Sequence, residues 1–435
     1  MFSQSGTDMD KIISILIFLI IFGVLVISHE GGHFLIARAN GIRVREFTIG
    51  LGPQIFHTVK KGTVFSVRLF PFGGACIFDG MLDDEETEDD FAEDKKTGGF
   101  FFKKKNVAAE SQTEDTRRDR DRESISKQSV PTLDMNKIAR PAGSRIQTSD
   151  DGEESEDEQQ QADFEAQGVP FPEAKVWARI ATILAGPLFN FIVGFLIALV
   201  VTAFTPWDYP VVSGFTENSA AQAAGLKEGD LILRMNGDRI TMAQEVSLNS
   251  QFNTGEDIKL LIERDGKEET ISFTPSYDAE QDRYYMGVYI GKYDKVEGAA
   301  IIPRAFDTVR YYIVWTYRSL GLLITGRLGA DALSGPVGMA QMVDETYVTA
   351  ASYGISAVLL SMLELALLLS VNLGVMNLLP IPALDGGRLL FLLIELIRGK
   401  PVPPEKESYV NMAGMILLVA LMAFVLFNDI MKLIG

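Results

Sequence analysis

The sequence predicts a multi-pass α-helical membrane protein: four transmembrane helices, a membrane-associated β element and an extracytoplasmic β-rich domain. Three observations predict it. First, apolar residues make up 47% of the 435, and they are bunched rather than spread. They form runs at Lys11 to Val26, Ile180 to Phe204, Ile355 to Leu379 and Val410 to Phe427. Each approaches the roughly 20 residues that cross a bilayer core. Second, the stretches 41–80 and 208–292 alternate apolar and polar residues, the period of strands. Third, the formal charge of -18 is not a property of the whole chain. Residues 83–165 hold 25 acidic and 13 basic side chains, a balance of -12, so the rest is only mildly acidic.

Residues 1–40 form the first span. A cleaved signal peptide is not expected there: the apolar run is too long, the preceding MFSQSGTDMD is acidic, and the run ends in HEGGH. Residues 41–80 read as strands broken by Gly and Pro, a membrane-associated β region. Residues 81–170, with DDEETEDD and RRDRDRES, bury too little apolar surface to offset ordering entropy, and read as an acidic disordered insert. Residues 171–205 are the second span.

Residues 206–295 read as a soluble β-rich module. Ala220 to Ile240 holds a short helical piece, a turn at Gly225, a strand Leu231–Met235 and an Asn236-Gly237 turn. A hairpin around Asp265-Gly266 follows. This stretch resembles a PDZ domain of the circularly permuted bacterial type, which implies capture of an extended peptide or substrate terminus at an open sheet edge. In residues 296–353, Arg310, Arg318 and Arg327 interrupt an apolar helix, so an amphipathic interfacial segment is expected and not a fifth span. Residues 354–400 hold the third span and its continuation, and 408–435 the fourth.

The chemistry gathers at the end of the first span. His29 and His33 stand at i and i+4; on a helix they share a face, about 6 Å apart along the axis, so both imidazoles reach one ion. Glu30 lies on the neighbouring face, near enough to activate water at that ion, the H-E-x-x-H arrangement. The chain has three histidines; the third, His57, is expected to have no role. Two imidazoles do not complete a catalytic zinc site, which takes three protein ligands and an open position. The single cysteine, Cys76, excludes a disulfide framework and a cysteine metal site, so any metal here is held by His and carboxylates. Asp385 closes NLLPIPALD, an irregular stretch tolerated at membrane depth only where it is buried in protein or lines a cavity. Glu395, on the helix downstream, is a rival third ligand. Gly31 and Gly32 are expected to clear space beside the metal for a substrate strand.

Alternation through spans one, two and three puts HEGGH and Asp385 on the same face of the bilayer, provided that Ala305 to Leu328 does not cross. Short basic loops at 40–70 and 398–406 make that face cytoplasmic. Both termini and the β-rich module are then extracytoplasmic.

HEGGH, AGPLFN (Ala185 to Asn190), the PDZ-like stretch, LSGPVG (Leu333 to Gly338) and NLLPIPALDGG together resemble the site-2 protease family of bacterial intramembrane zinc metalloproteases. The likeness spans nearly the whole chain outside the acidic insert. It implies Zn2+ on His29, His33 and Asp385, Glu30 as general base, and Asn377 at the substrate backbone or oxyanion. It implies a substrate-facing position for Asn190, and a β region at 44–80 that clamps an unwound substrate. The substrates implied are single-span membrane proteins, such as anti-sigma factors, or remnant signal peptides. A nucleic-acid partner is not expected. Two other readings stay open at the level of sequence. One is a membrane-anchored PDZ scaffold without proteolysis. The other is a divalent-metal transporter using the same three ligands.

Overall fold

The computed structural model describes residues 8–81, 162–251, 253–278, 283–329 and 333–434. The first described element is α1 (Asp8–Ala39), apolar nearly all round from Ile12 to Ile27, the character of a helix that meets lipid and protein rather than water. A long hairpin follows, β1 (Val44–Lys60) and β2 (Thr63–Phe78). Its register is doubled: residues 44–49 of β1 pair with 74–78 on one side and 64–67 on the other, while 54–60 pair with 63–68. The result is a four-segment sheet in which 74–78 is an edge lying along α1. Residues 44–50 alternate buried and half-buried, whereas 51–60 are exposed throughout.

The second apolar helix is α2 (Val176–Phe204), with Pro187 in its interior. The β-rich module then runs through β3 (Trp207–Phe215), α3 (Ala220–Ala223), β4 (Leu231–Met235), β5 (Asp238–Arg239), α4 (Ala243–Gln251), β6 (Ile258–Arg264), β7 (Lys267–Phe273), β8 (Ser276–Asp278), β9 (Arg283–Tyr285) and β10 (Val288–Asp294). Its main sheet has the order β10-β3-β4-β6-β7, with β5 paired to β4. Alternation fixes the register: Ile258, Leu260 and Ile262 of β6 all turn into the core, where they meet Ile232 and Met235 of β4. Asn236-Gly237 and Asp265-Gly266 all have positive φ, the backbone of tight hairpin turns. Beneath the sheet, buried Asp230 binds Arg264 through both carboxylate oxygens, at 2.7 and 2.6 Å.

Five further helices complete the chain: α5 (Ile301–Ile324), α6 (Pro336–Ala351), α7 (Ile355–Leu378), α8 (Asp385–Arg398) and α9 (Pro404–Ile434). Among the described residues four helices, α1, α2, α7 and α9, are long and apolar enough to cross a membrane; α5 is not one of them. One face of α5 packs Ala305 and Val309 against Leu367 and Val371 of α7, and Thr316 donates to the Asn372 side chain. The other face carries arginines, and these do not stand free. Arg310 pairs with Glu245, Arg318 with Asp238 and Asn249, and Arg304 lies over the Trp207 ring at 5.2 Å. Two of the charges that read as interfacial, Arg310 and Arg318, therefore fasten the module onto α5. At the far end, buried Asp429 of α9 accepts from the amides of Gly335 and Gly338, at 3.0 and 2.8 Å, and so caps α6.

One boundary differs from the sequence reading. Most of the acidic insert lies outside the described residues, but 162–170, assigned to it, fold onto the hairpin. Gln167 is 7% exposed. Its side chain accepts from Val44 N–H and donates to the Lys61 carbonyl, at 3.0 and 2.8 Å. The high charge of the preceding residues masks a short segment whose anchoring is polar rather than apolar.

Candidate metal centre

Near its C-terminal end α1 presents His29 and His33 on one face. The junction of α7 and α8 brings the carboxylate to them. There Pro380 and Pro382 stop helix propagation, Ala383 takes a left-handed backbone (φ 72°), and α8 restarts with Asp385 in its first turn. Gly386 and Gly387 let this junction fold on itself: a Cβ on them would stand 2.1 Å from the Leu379 carbonyl oxygen and 2.4 Å from that of Ile381.

Three atoms converge. His33 Nε2 lies 3.3 Å from His29 Nε2, and the two nitrogens lie 3.1 and 3.2 Å from Asp385 Oδ2. Bonds of about 2.0–2.1 Å, usual for zinc to nitrogen or oxygen, give a tetrahedron edges of about 3.3 Å. The three edges seen match it, so the donor set fits a zinc ion without rearrangement. Among the described residues this is the group of His, Cys, Asp or Glu side chains that could hold a metal.

The surroundings hold these side chains in place. A carbonyl only accepts, so His33 Nδ1–H donates to the Thr182 oxygen of α2 at 2.8 Å and leaves the Nε2 lone pair facing the cluster. The helices approach closely because of two glycines. A Cβ on Gly186 would lie 2.2 Å from His33 Nε2, and one on Gly32 would lie 2.6 Å from the Ala185 carbonyl. Gly32 thus serves the contact between α1 and α2 rather than a substrate strand, whereas a Cβ on Gly31 would meet nothing within 4 Å.

Glu30 takes a hydrogen bond from the Cys76 backbone amide on the edge segment of β2. Burial, reinforced by Glu30, holds the Cys76 thiol well above its usual range, and the thiol is not part of the His29, His33 and Asp385 group. Asn377, near the end of α7, places Nδ2 3.4 Å from His29 Nε2. Asn190 of α2 is fully buried, its amide nitrogen 3.1 Å from His29 Nδ1. Glu395 does not join the cluster: Arg179 binds both its oxygens. His57 is exposed on β1, opposite Ser66.

Sequence reasoning missed Thr182, Gly186 and the Cys76 amide.

Two imidazoles one turn apart, a glutamate between them and a carboxylate on an apolar helical frame have the make-up of a zinc metalloprotease site. Comparison with known proteins agrees. The model of peptidase family M50 matches residues 17–421, and the chain belongs to that family. The chain is 34% identical to the zinc metalloprotease RasP of Geobacillus kaustophilus, over 96% of this chain and 98% of that protein. It is likewise 34% identical to the regulator of sigma-W protease RasP of Bacillus subtilis, over 97% of this chain and 99% of that one. Among solved structures, the PDZ domain of an SdrC-like protein from Listeria innocua matches at 22% identity and a TM-score of 0.18. That match covers 20% of this chain and all of that domain's chain.

Proposed function

We propose that this intramembrane metalloprotease hydrolyses peptide bonds within the transmembrane segments of single-span membrane proteins. The observation that carries the proposal is the meeting of His29, His33 and Asp385, with Glu30 adjacent, at the ends of apolar helices. His29, His33 and Asp385 would hold zinc. When bound, zinc supplies Lewis acidity toward water and toward the peptide carbonyl.

The chain's own groups do the rest. Glu30 removes a proton from the attacking water and returns it to the leaving amine, as general base and then general acid. The Cys76 amide orients its carboxylate for that exchange. Asn377 Nδ2 donates to the carbonyl oxygen as negative charge develops there. A helical substrate hides its carbonyls in its own hydrogen bonds, so it must unwind first. Segment 74–78 offers it a sheet edge alongside Glu30, where an extended chain can add as a strand.

The relative named regulator of sigma-W protease supports anti-sigma factors as a substrate class, with remnant signal peptides a second. The PDZ-like module, fastened to α5, stands as a filter on substrate size or terminus. The short basic loops at 40–70 and 398–406 support an active site near the cytoplasmic face, with both termini and the module outside.

The test is cleavage of a single-span substrate by the purified protein in detergent. Chelator should abolish it and added zinc restore it. Glu30→Gln should keep zinc while lowering kcat by about 100-fold or more. Full activity in Glu30→Gln removes the base from the mechanism. Metal flux in vesicles without proteolysis would establish a transporter instead.

A further inference from the structure

The two histidines have different supports. His33 faces a main-chain carbonyl, which leaves one tautomer available. His29 faces the Asn190 side-chain amide, whose two ends exchange by a half-turn. The far end of that amide, Oδ1, lies 3.3 Å from Ser28 Oγ. Two complete hydrogen-bond patterns therefore fit the same heavy atoms. In one, Nδ2 donates to His29 Nδ1 and Ser28 donates to Oδ1. That pattern puts the imidazole proton on Nε2, the atom aimed at Asp385, and closes it to a metal. In the other, the amide is reversed: His29 Nδ1–H donates to Oδ1, Nδ2 donates to Ser28 Oγ, and Nε2 carries its lone pair toward the cluster, with Asn377 Nδ2 3.4 Å away.

We propose that Asn190 is a positioning residue: paired with Ser28, it holds His29 in the tautomer whose Nε2 can ligate the ion. Its placement agrees. Asn190 is 0% exposed, so it has no surface to offer a substrate. Its own carbonyl is tied to α7 by Ser370 Oγ at 2.7 Å, which fixes the helix under His29. Ser28 and His29 are neighbours on α1, so the amide bridges two adjacent side chains of the helix that bears the site. The inference rests on the reading of His29 as a ligand and gives Asn190 a duty different from substrate contact.

The experiment uses the full-length protein in detergent, with zinc affinity measured by competition against a chelator and the visible spectrum recorded after cobalt substitution. His29→Ala is the control: unchanged zinc affinity there overturns the ligand assignment itself. With that assignment standing, Asn190→Leu removes the acceptor and should weaken zinc by about 10–100-fold, as loss of such a supporting partner does. Asn190→Asp keeps an acceptor for Nδ1–H and should hold zinc within about threefold of the parent, with the same cobalt spectrum. Wild-type zinc affinity in Asn190→Leu, with lowered kcat/KM, overturns the proposal and returns Asn190 to substrate binding. If Asn190→Leu does not fold, Asn190→Asp decides alone: zinc weakened tenfold or more in a folded protein overturns it.

Discussion

Gly186 has no functional group, yet His33 depends on it. A methyl at that position would occupy the space of the imidazole nitrogen, 2.2 Å away, and neither can yield. The ring is held by Thr182, and the glycine belongs to a helix backbone. Gly186→Ala should therefore insert and fold but lose at least about tenfold in zinc affinity, measured by retained metal after dialysis against chelator. Retention equal to the parent would show that His33 has room to turn aside. The pair His29 and His33 was legible in the sequence, because helical spacing is local. Asp385 was legible because prolines and glycines in an apolar region mark irregular backbone. Gly186 and Thr182 were not, because their importance arises from how α2 registers against α1, and no local pattern encodes that register.

At the scale of elements, α5 is the informative case. Its arginines disfavour a membrane crossing, and the sequence shows that much. It does not show their partners, which come from β5 and α4 some 65 to 80 residues earlier. Glu245 is the centre of this contact: it accepts from the Thr241 amide at 2.6 Å, caps α4, and also takes Arg310. Arg310→Gln should leave the module folded but loosen its seat, at a cost of about 1.5–3 kcal/mol for the lost charged hydrogen bond. Faster hydrogen exchange confined to α4 and α5 would register it; unchanged exchange would mean that the apolar contacts suffice. The hairpin of β1 and β2 was legible as strands from its composition. Its doubled register was not, since each half of β2 suits the same partner.

For the whole molecule, the arrangement across the bilayer has a direct test. In a Cys76→Ser background, Lys267→Cys lies on the exposed β7 side of the module and Lys60→Cys on the exposed tip of the hairpin. A membrane-impermeant maleimide should label the first in intact cells and the second only after permeabilisation. The reverse pattern would invert the proposed orientation. Four apolar helices and a β-rich module were readable from hydropathy and alternation alone, because both are properties of short windows. The contact that joins them was not.

His33 and Asp385 are separated by 352 positions. At translation rates of roughly 5–20 residues per second, the imidazoles precede their carboxylate partner by on the order of 20–70 s. A nascent chain is thus inert through most of its synthesis, and hydrolytic capacity arises only after the third span has entered the bilayer. Chains truncated at residue 380 should accordingly hold no zinc against a chelator that the complete protein withstands. Completion of the site is thus an event of late synthesis, set by where in the chain the carboxylate lies.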